Sequence, residues 1–466
     1  MKTTAASIAT TVLALLTVTA CAPHMKYRTV HPDVCVSPEP KPTPECETHA
    51  LQQLPGNNGS SYLFGFIEFD DQGQLWDRRQ MRDVLTTLQT GAGTRDLLMV
   101  VFVHGWKHSA APGDTNINTF RAVLANLSDA EALLAKRTGT PVRQVVGIYF
   151  GWRGGSLPVK YLENVTFWDR KNTAQKVGYG GVAEVLSQLE DIKLTKDSIV
   201  CRDRTVSKND DTLCSSNTKL VVVGHSFGGA VMQTAVAQIL ENRFVQTTGP
   251  AGRKSDIEGF GNLVVLINPA FEANLFTPMS DMAAERRTYF SSQLPVVLVL
   301  TSEADAATRY AFPIGRWFST IFEKTHDRQR RNAETGQTET ISEHDANVRA
   351  VGHFKPYRTH HLYPTEERKR EELKAASAAD SIQMFERSRA DWVCDAPGSK
   401  ITFGDVVLER TTNSAGRNPY LVVYVDEQLI HEHNDIDDPR VIEFVKQMIL
   451  ISSRSEKQTA INCETR

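Results

Sequence analysis

Residues 219–230 read KLVVVGHSFGGA, and this stretch decides how the rest of the chain is interpreted. Its apolar start predicts a buried strand, and the small residues that follow, from Ala230 to Leu240, predict a helix. The turn between them places Ser226 at its apex and needs glycine at positions 224 and 228, where any Cβ would clash with the backbone. The helix N-terminus directs free N–H groups at an oxyanion that forms beside Ser226. The stretch therefore predicts a nucleophilic serine.

Strands and helices alternate on both sides of this turn. The run LLMVVFV at 97–103 is typical of a strand buried on both faces of a parallel sheet, and it ends at His104-Gly105-Trp106. Further strands are predicted at 145–150, 263–267 and 295–300, and the last two stop at polar residues. The order predicts a doubly wound, mostly parallel α/β sheet with its ligand site beyond the carboxyl ends of the strands.

Three other segments complete the predicted domain, which covers residues 61–466. Residues 62–76 predict a hairpin that opens the sheet. Residues 313–395 are rich in Arg, Glu, Gln and Ala, and they predict a polar insertion or cap before the last strands. Residues 400–409 and 419–426 predict a late strand pair, which an amphipathic helix from Pro439 to Leu450 follows.

The N-terminus predicts export. Residues 1–20 have the charge at Lys2 and the short apolar run of a signal peptide. The ending VTAC at 18–21 resembles the lipobox of bacterial lipoproteins, which implies that Cys21 is lipidated and anchors the chain to a membrane. Ala22 is not the aspartate associated with inner-membrane retention, so the resemblance implies an outer-membrane location in the bacterial cell envelope. Residues 21–60 are rich in proline and predict an extended tether.

Six cysteines remain beyond Cys21, an even number that suits an oxidising compartment. Proximity along the chain favours disulfides between residues 35 and 46, 201 and 214, and 394 and 463. Other pairings stay open, because the connectivity does not follow from sequence.

A nucleophilic serine needs a base within hydrogen-bond reach and a carboxylate that fixes the tautomer of that base. When the order along the chain is serine, acid, histidine, the acid follows a strand after the nucleophile and the histidine follows the last strand. Asp305 and His433 meet these two conditions. The alternatives left open are Glu303 and Glu272 for the acid, and His431 or the pair His360 and His361 for the base.

The motif GHSFGG at 224–229, with VFVHGW at 101–106 upstream, resembles the α/β-hydrolase superfamily on its lipase and esterase side. The resemblance covers roughly residues 62–312 and 396–450 and implies the α/β-hydrolase fold. It implies Ser226 as the nucleophile, His433 as the general base and acid, and Asp305 as the orienting carboxylate. It also implies an oxyanion hole made by the backbone N–H groups of Phe227 and Trp106. The chain departs from the glycine-rich form of that loop, because Trp106 and Lys107 follow Gly105.

The expected protein is a lipid-anchored serine hydrolase that cleaves a carboxylic ester, either a small molecule or a lipid, through an acyl-enzyme and without a cofactor. The net charge of −3 gives no argument for binding nucleic acid. Two alternatives stay open: a serine peptidase or amidase on the same fold, and a surface lipoprotein that binds a ligand without catalysis. The natural substrate and the oligomeric state do not follow from the sequence.

Overall fold

The computed structural model describes residues 23–155, 167–203, 215–248, 256–290, 292–320, 322–366, 372–393 and 399–453. The proposed signal peptide and Cys21 lie outside these ranges. None of the helices within them combines the length and the apolar character that crossing a bilayer requires.

One large sheet runs through the described residues. Its strands are β1 (Val30–Val36), β2 (His49–Pro55), β3 (Ser61–Glu68), β4 (Leu97–Val103), β5 (Gln144–Gly151), β6 (Lys219–His225), β7 (Leu263–Ile267), β8 (Val297–Ser302), β11 (His360–Pro364), β12 (Lys400–Phe403), β13 (Val406–Arg410) and β14 (Tyr420–Val425). In the described part of the chain these twelve strands lie in the order β1-β2-β3-β5-β4-β6-β7-β8-β14-β11-β13-β12. The continuous run from β3 to β11 is parallel, and β2, β13 and β12 add antiparallel pairs. The prediction of a mostly parallel α/β sheet is confirmed.

Helices cover both faces of this sheet. They are α1 (Arg78–Thr94), α2 (Thr115–Thr138), α3 (Phe167–Val177), α4 (Ala183–Asp203), α5 (Phe227–Thr248), α6 (Thr277–Arg286), α7 (Phe312–Thr320), α8 (Glu343–Val348), α9 (Ala378–Val393) and α10 (Pro439–Ser453). Side chains alternate along β4: Met99, Val101 and Val103 pack with α1, α4 and α5, while Leu98 and Val100 pack with α2, α9 and α10. The fully apolar β4 is therefore explained by burial on both faces.

The chain reverses its direction of travel across the sheet at β4. It passes from β4 to β5 on one side and then returns to β6 on the other side. The carboxyl ends of β4 and β6 are thus neighbours at a point where the connections diverge, and a crevice opens at such points in α/β sheets. The turn that carries Ser226 begins there.

The prediction of an extended tether over residues 21–60 was wrong for residues 30–55. This segment forms β1 and β2, and Leu51 and Leu54 are buried. The prolines that suggested a tether lie largely in the loop between these strands, which the disulfide between Cys35 and Cys46 closes. β2, and not residues 74–76, is the antiparallel partner of β3, because Phe69 and Leu75 form only a single bridge.

The Cys35–Cys46 disulfide confirms the first of the three expected pairings. Cys201 also takes part in a disulfide. Cys214, Cys394 and Cys463 lie outside the described residues, so the second and third pairings stay predictions.

The segment 313–395 is only in part a surface insertion. Helices α7 and α8 and a separate hairpin of β9 (Arg328–Arg331) and β10 (Thr338–Ile341) extend outside the sheet, but β11 is a strand of the sheet between β14 and β13. The sequence did not predict β11, because its residues are HHLYP and the polar side chain of His360 occupies a buried position. The prediction that residues 400–409 and 419–426 pair with each other was also wrong. Residues 400–410 form a hairpin of their own that turns at Gly404, and β14 pairs with β8 and β11.

Candidate active site

Ser226 lies on a sharp turn between β6 and α5. Its backbone is left-handed, with φ of 56°, and its N–H donates to the carbonyl oxygen of Ile267 at 2.9 Å. A Cβ on Gly228 would stand 2.0 Å from the carbonyl oxygen of Val103, and one on Gly224 would stand 2.7 Å from that of Gly228. Both positions therefore require glycine, as the sequence predicts, and the strain at Ser226 is held by close packing against β4 and β7.

Three of the predicted site residues meet beyond the carboxyl ends of β6, β8 and β14. Ser226 Oγ lies 2.6 Å from His433 Nε2, and His433 Nδ1 lies 2.9 Å from Asp305 Oδ2. Since the carboxylate can only accept, Nδ1–H donates to it and Nε2 is left to accept from the serine hydroxyl. Ser226 and Asp305 are buried, and the side chain of His433 is 11% exposed. The geometry is that of a serine activated by a histidine that a carboxylate orients.

The Asp305 carboxylate receives hydrogen bonds on both oxygens. Oδ1 accepts from the backbone N–H of Ala307 at 3.0 Å and of Thr308 at 3.1 Å, and Oδ2 accepts from the Thr308 hydroxyl and from His433. Burial acts to raise the pKa of this carboxyl, but the charge of His433 and these hydrogen bonds outweigh burial and bring the pKa below its usual range. Asp305 is therefore ionised although it is fully buried.

The structure does not bring the alternative acids to His433. The Glu303 carboxylate accepts from the backbone N–H of Glu427 at 3.1 Å. Glu272 is buried in ion pairs with Lys171 at 2.6 Å and Arg316 at 2.7 Å, where it ties the loop after β7 to α3 and α7. Neither carboxylate is placed to orient the histidine.

The alternative bases also lie elsewhere. His431 donates its backbone N–H to Asp435 on the loop after β14. His360 is buried on β11 beside the Thr359 hydroxyl, and burial lowers its pKa to about 3. His361 lies 3.8 Å from Glu334. Of these histidines, His433 alone has a hydrogen bond to Ser226 in the described residues.

Two buried side chains hold the backbone of His433 and were not predicted as a pair. His225 Nε2 and Asn268 Nδ2 each lie 3.0 Å from the His433 carbonyl oxygen, and both donate to it. Burial lowers the pKa of His225 to about 3, so this imidazole is neutral. Asn268 also accepts from the backbone N–H of Ser302 at 2.9 Å and so links β7, β8 and the histidine loop. In the sequence, Asn268 stands out as a polar residue directly after β7. Its position did not predict which group the side chain would bind.

His104 braces the loop that carries Trp106. Its ring stacks on Trp152 at 5.5 Å, its Nε2 accepts from the Trp152 backbone N–H at 3.1 Å, and the indole N–H donates to the His104 carbonyl at 3.0 Å. Burial lowers the pKa of His104 to about 4, so the imidazole is neutral and has one N–H. Because Nε2 accepts, that hydrogen is on Nδ1, which donates to the carbonyl oxygen of Gly105. The ends of β4 and β5 are thereby joined around a neutral imidazole.

The backbone N–H groups of Trp106 and Phe227 lie on the two residues that approach the serine from either side. Phe227 directly follows Ser226, and its N–H, the first of α5, has no acceptor within the helix. Trp106 directly follows Gly105, which packs against the serine. Its N–H donates to no backbone group of the described chain. Phe167 packs against both aromatic rings, with centroids 5.5 Å from Trp106 and 4.7 Å from Phe227. The Phe227 ring is fully buried, and Lys107 Nζ lies 4.3 Å from the centroid of the Trp106 ring.

Within the described ranges, no group of three or more His, Cys, Asp or Glu side chains is arranged to hold a metal ion. The histidines near the serine instead make hydrogen bonds to backbone groups and carboxylates.

No family model and no curated protein matches the sequence. A solved structure with some similarity is the phospholipase PlaB from Legionella pneumophila in complex with thio-NAD, with 12% identity and a TM-score of 0.24. The match covers 77% of this chain and 59% of that phospholipase, so the chain spans less than two thirds of the length of its match. A similarity of this degree indicates neither the fold nor the activity of this chain.

Proposed function

We propose that the protein is a serine hydrolase of the α/β-hydrolase fold that cleaves carboxylic esters through an acyl-enzyme. The observation that carries the proposal is the connected set Ser226, His433 and Asp305, with distances of 2.6 and 2.9 Å, at the carboxyl ends of neighbouring strands. These residues occur in the order serine, acid, histidine, and the serine stands between a strand and a helix. Both features support this fold and this chemistry.

In the first half of the reaction, Ser226 Oγ attacks the ester carbonyl carbon while His433 Nε2 takes the hydroxyl proton. The carbonyl oxygen becomes an oxyanion, which the N–H groups of Phe227 and Trp106 stabilise. The ionised Asp305 stabilises the imidazolium that forms. His433 then gives the proton to the leaving alkoxide oxygen, the C–O bond breaks, and the acyl group stays on Ser226.

In the second half, water replaces the alcohol. His433 takes a proton from the water as its oxygen attacks the acyl carbon, and the same N–H groups stabilise the second oxyanion. Return of the proton to Ser226 Oγ releases the carboxylic acid. The partly exposed aromatic rings of Trp106 and Phe167, which pack together beside the serine turn, support an ester with an apolar portion, including a lipid.

A fluorophosphonate probe and a panel of p-nitrophenyl acyl esters test this proposal. Labelling at Ser226 and ester hydrolysis are expected for the wild type, and both are lost in Ser226→Ala. The matched control is Ser187→Ala, which removes a hydroxyl that bonds only within α4 and should leave both readings unchanged. A folded protein that is not labelled at Ser226 would favour a binding lipoprotein, and hydrolysis of aminoacyl anilides but not of esters would favour a peptidase or amidase.

The N-terminal sequence supports a membrane location for this enzyme. Residues 18–21 fit a lipobox, and we propose that Cys21 is lipidated and holds the protein at the outer membrane of a bacterial cell envelope. In Cys21→Ser the protein should move from the membrane fraction to the soluble fraction of the cell. Retention of this variant in the membrane fraction would exclude Cys21 as the anchor.

A further inference from the structure

A second histidine lies behind the Asp305 carboxylate, and we propose that His353 acts through Thr308 as a positioning residue for the reaction. The inference rests on the proposed function of Ser226, His433 and Asp305. Among the described residues no hydrogen bond joins Ser226 to His353 or Thr308, so their effect on the reaction would pass through the carboxylate.

The hydrogen bonds of Thr308 fix their own direction. Its hydroxyl bonds to Asp305 Oδ2 and lies 2.9 Å from His353 Nε2. An ionised carboxylate can only accept, so the single hydroxyl proton of Thr308 is directed at Asp305. The hydroxyl oxygen then accepts from His353, whose Nε2 must carry the proton. The result is a directed chain from His353 through Thr308 to Asp305 Oδ2, which also accepts from His433.

This chain controls which way the carboxylate faces. Backbone N–H groups of Ala307 and Thr308 hold Oδ1, while the Thr308 hydroxyl and His433 share Oδ2. A hydroxyl without the donor behind it could rotate away from Asp305, and Oδ2 would lose one of the two groups that hold it. His353 removes that freedom, because its N–H occupies the hydroxyl oxygen and leaves the proton only one acceptor.

The fold brings His353 to this position through a close approach of backbone to β8. His353 ends the turn Val351–His353, and a Cβ on Gly352 would stand 1.9 Å from Thr301 Oγ1 on β8. Glycine at 352 therefore lets the turn lie against the strand that leads to Asp305. His353 and Thr308 are both buried, so bulk water does not compete for these hydrogen bonds.

The surroundings of His353 keep its ring neutral. Burial is the main cause that lowers its pKa to about 4; the charge of Asp305 opposes this, and Arg358, Arg309 and Arg349 act in the same direction as burial. The ring of Tyr424 packs at its edge, 6.4 Å away. A neutral imidazole has one N–H, and here it is the one that Thr308 needs.

A double-mutant cycle tests the inference, with kcat and KM measured on p-nitrophenyl butyrate and thermal unfolding measured for every variant. Thr308→Val removes the hydroxyl at nearly constant shape, and Thr308→Ser keeps it. His353→Leu removes the donor, and His353→Gln keeps an N–H donor of similar reach. The fifth variant combines Thr308→Val with His353→Leu.

His353→Leu is expected to lower kcat by about tenfold with KM unchanged, as for one hydrogen bond to a charged network. It should lower kcat no further in the Thr308→Val background, because no hydroxyl is left to direct, whereas a merely structural role would give the same loss in both backgrounds. His353→Gln and Thr308→Ser should stay near wild type.

Equal losses in both backgrounds, or a loss in His353→Gln as large as in His353→Leu, would overturn the inference. If His353→Leu does not fold, His353→Met, which is also without a donor, takes its place in the cycle. A wild type that neither hydrolyses the ester nor reacts with a fluorophosphonate would overturn the proposed function itself. An active wild type with an additive cycle would overturn only the role of His353.

Discussion

Gly105 packs directly against Ser226: a Cβ on Gly105 would stand 2.6 Å from the Ser226 Cβ and 2.9 Å from the carbonyl oxygen of His225. The loop after β4 can therefore touch the nucleophile only because residue 105 has no side chain. The next residue in that loop is Trp106, whose N–H is one of the two proposed oxyanion donors. The close approach of the backbone at Gly105 to Ser226 thus sets the position of a proposed catalytic group.

Gly105→Ala should lower kcat for p-nitrophenyl esters by about 100-fold, since the added methyl displaces the Trp106 N–H and loss of one oxyanion donor costs that much. The rate of fluorophosphonate labelling should fall with it. Gly93→Ala is the control, because a Cβ on Gly93 in α1 meets no atom within 4 Å. This control should keep full activity and gain up to about 1 kcal/mol of stability. If Gly105→Ala keeps the wild-type kcat, the Trp106 N–H is not an oxyanion donor.

Asp305→Asn should lower kcat by about three to four orders of magnitude, because the amide cannot accept in the same way from His433 Nδ1–H and the imidazole takes the wrong tautomer. Glu303→Gln is the matched control two residues away, since its carboxylate bonds to Glu427 and not to the histidine. Steady-state kinetics on one ester decides between them. Near-full activity in Asp305→Asn would mean that the acid is misassigned.

Glu272→Gln should destabilise the fold, because it removes the negative charge from a buried ion-pair cluster with Lys171 and Arg316. The expected loss is about 3–5 kcal/mol in the free energy of unfolding, measured with urea. Glu184→Gln breaks a pair with Arg78 that is largely exposed, so it should cost less than about 1 kcal/mol. Equal losses in the two variants would show that burial does not set the energy of the Glu272 cluster.

Stability should fall with acidification between pH 7 and pH 5. Burial is the main cause that lowers the pKa of His104 and His353 to about 4 and that of His225 and His360 to about 3, against an ordinary value of 6.5. Below pH 6.5 these histidines are protonated in the unfolded chain but stay neutral in the folded chain. Their full contribution to the free energy of unfolding is therefore present above pH 6.5 and is lost as the pH falls towards 4. Each histidine contributes about 2 kcal/mol to the loss between pH 7 and pH 5.

Urea unfolding as a function of pH measures this dependence. The slope of the free energy of unfolding against pH gives the number of protons taken up on unfolding. Near pH 5 this number should be about one smaller in His360→Gln, because one of the four neutral histidines is gone. An unchanged slope would mean that His360 is protonated in the folded state.

The elements that the sequence predicted well are those with a single local cause. Apolar runs such as 97–103 and 220–223 have no alternative to burial on both faces of a sheet. Glycine is required at 224 and 228 because a Cβ there would stand 2.7 and 2.0 Å from backbone carbonyl oxygens. The choice of Asp305 and His433 rested on the order of elements, and the structure brings these two side chains together. Their catalytic roles stay predictions until a variant is measured.

The missed features depend on contacts between distant parts of the chain. Asn268 and His433 are 165 residues apart, and Thr308 and His353 are 45 apart, so no local pattern joins them. β11 was missed because a buried histidine replaces the apolar residue that a strand pattern requires. β1 and β2 were missed because the prolines of the loop between them dominated the composition of the segment.

The early start of the fold limits how far a lipid anchor at Cys21 could extend. The chain is already held at His24, whose ring packs 4.7 Å from Trp76, and at Lys26, which pairs with Asp77 at 2.9 Å. His24 follows Cys21 by three positions, and three residue steps of extended chain span at most about 10 Å. An enzyme anchored this way would touch the bilayer that carries it, and its supply of ester would diffuse laterally within that leaflet.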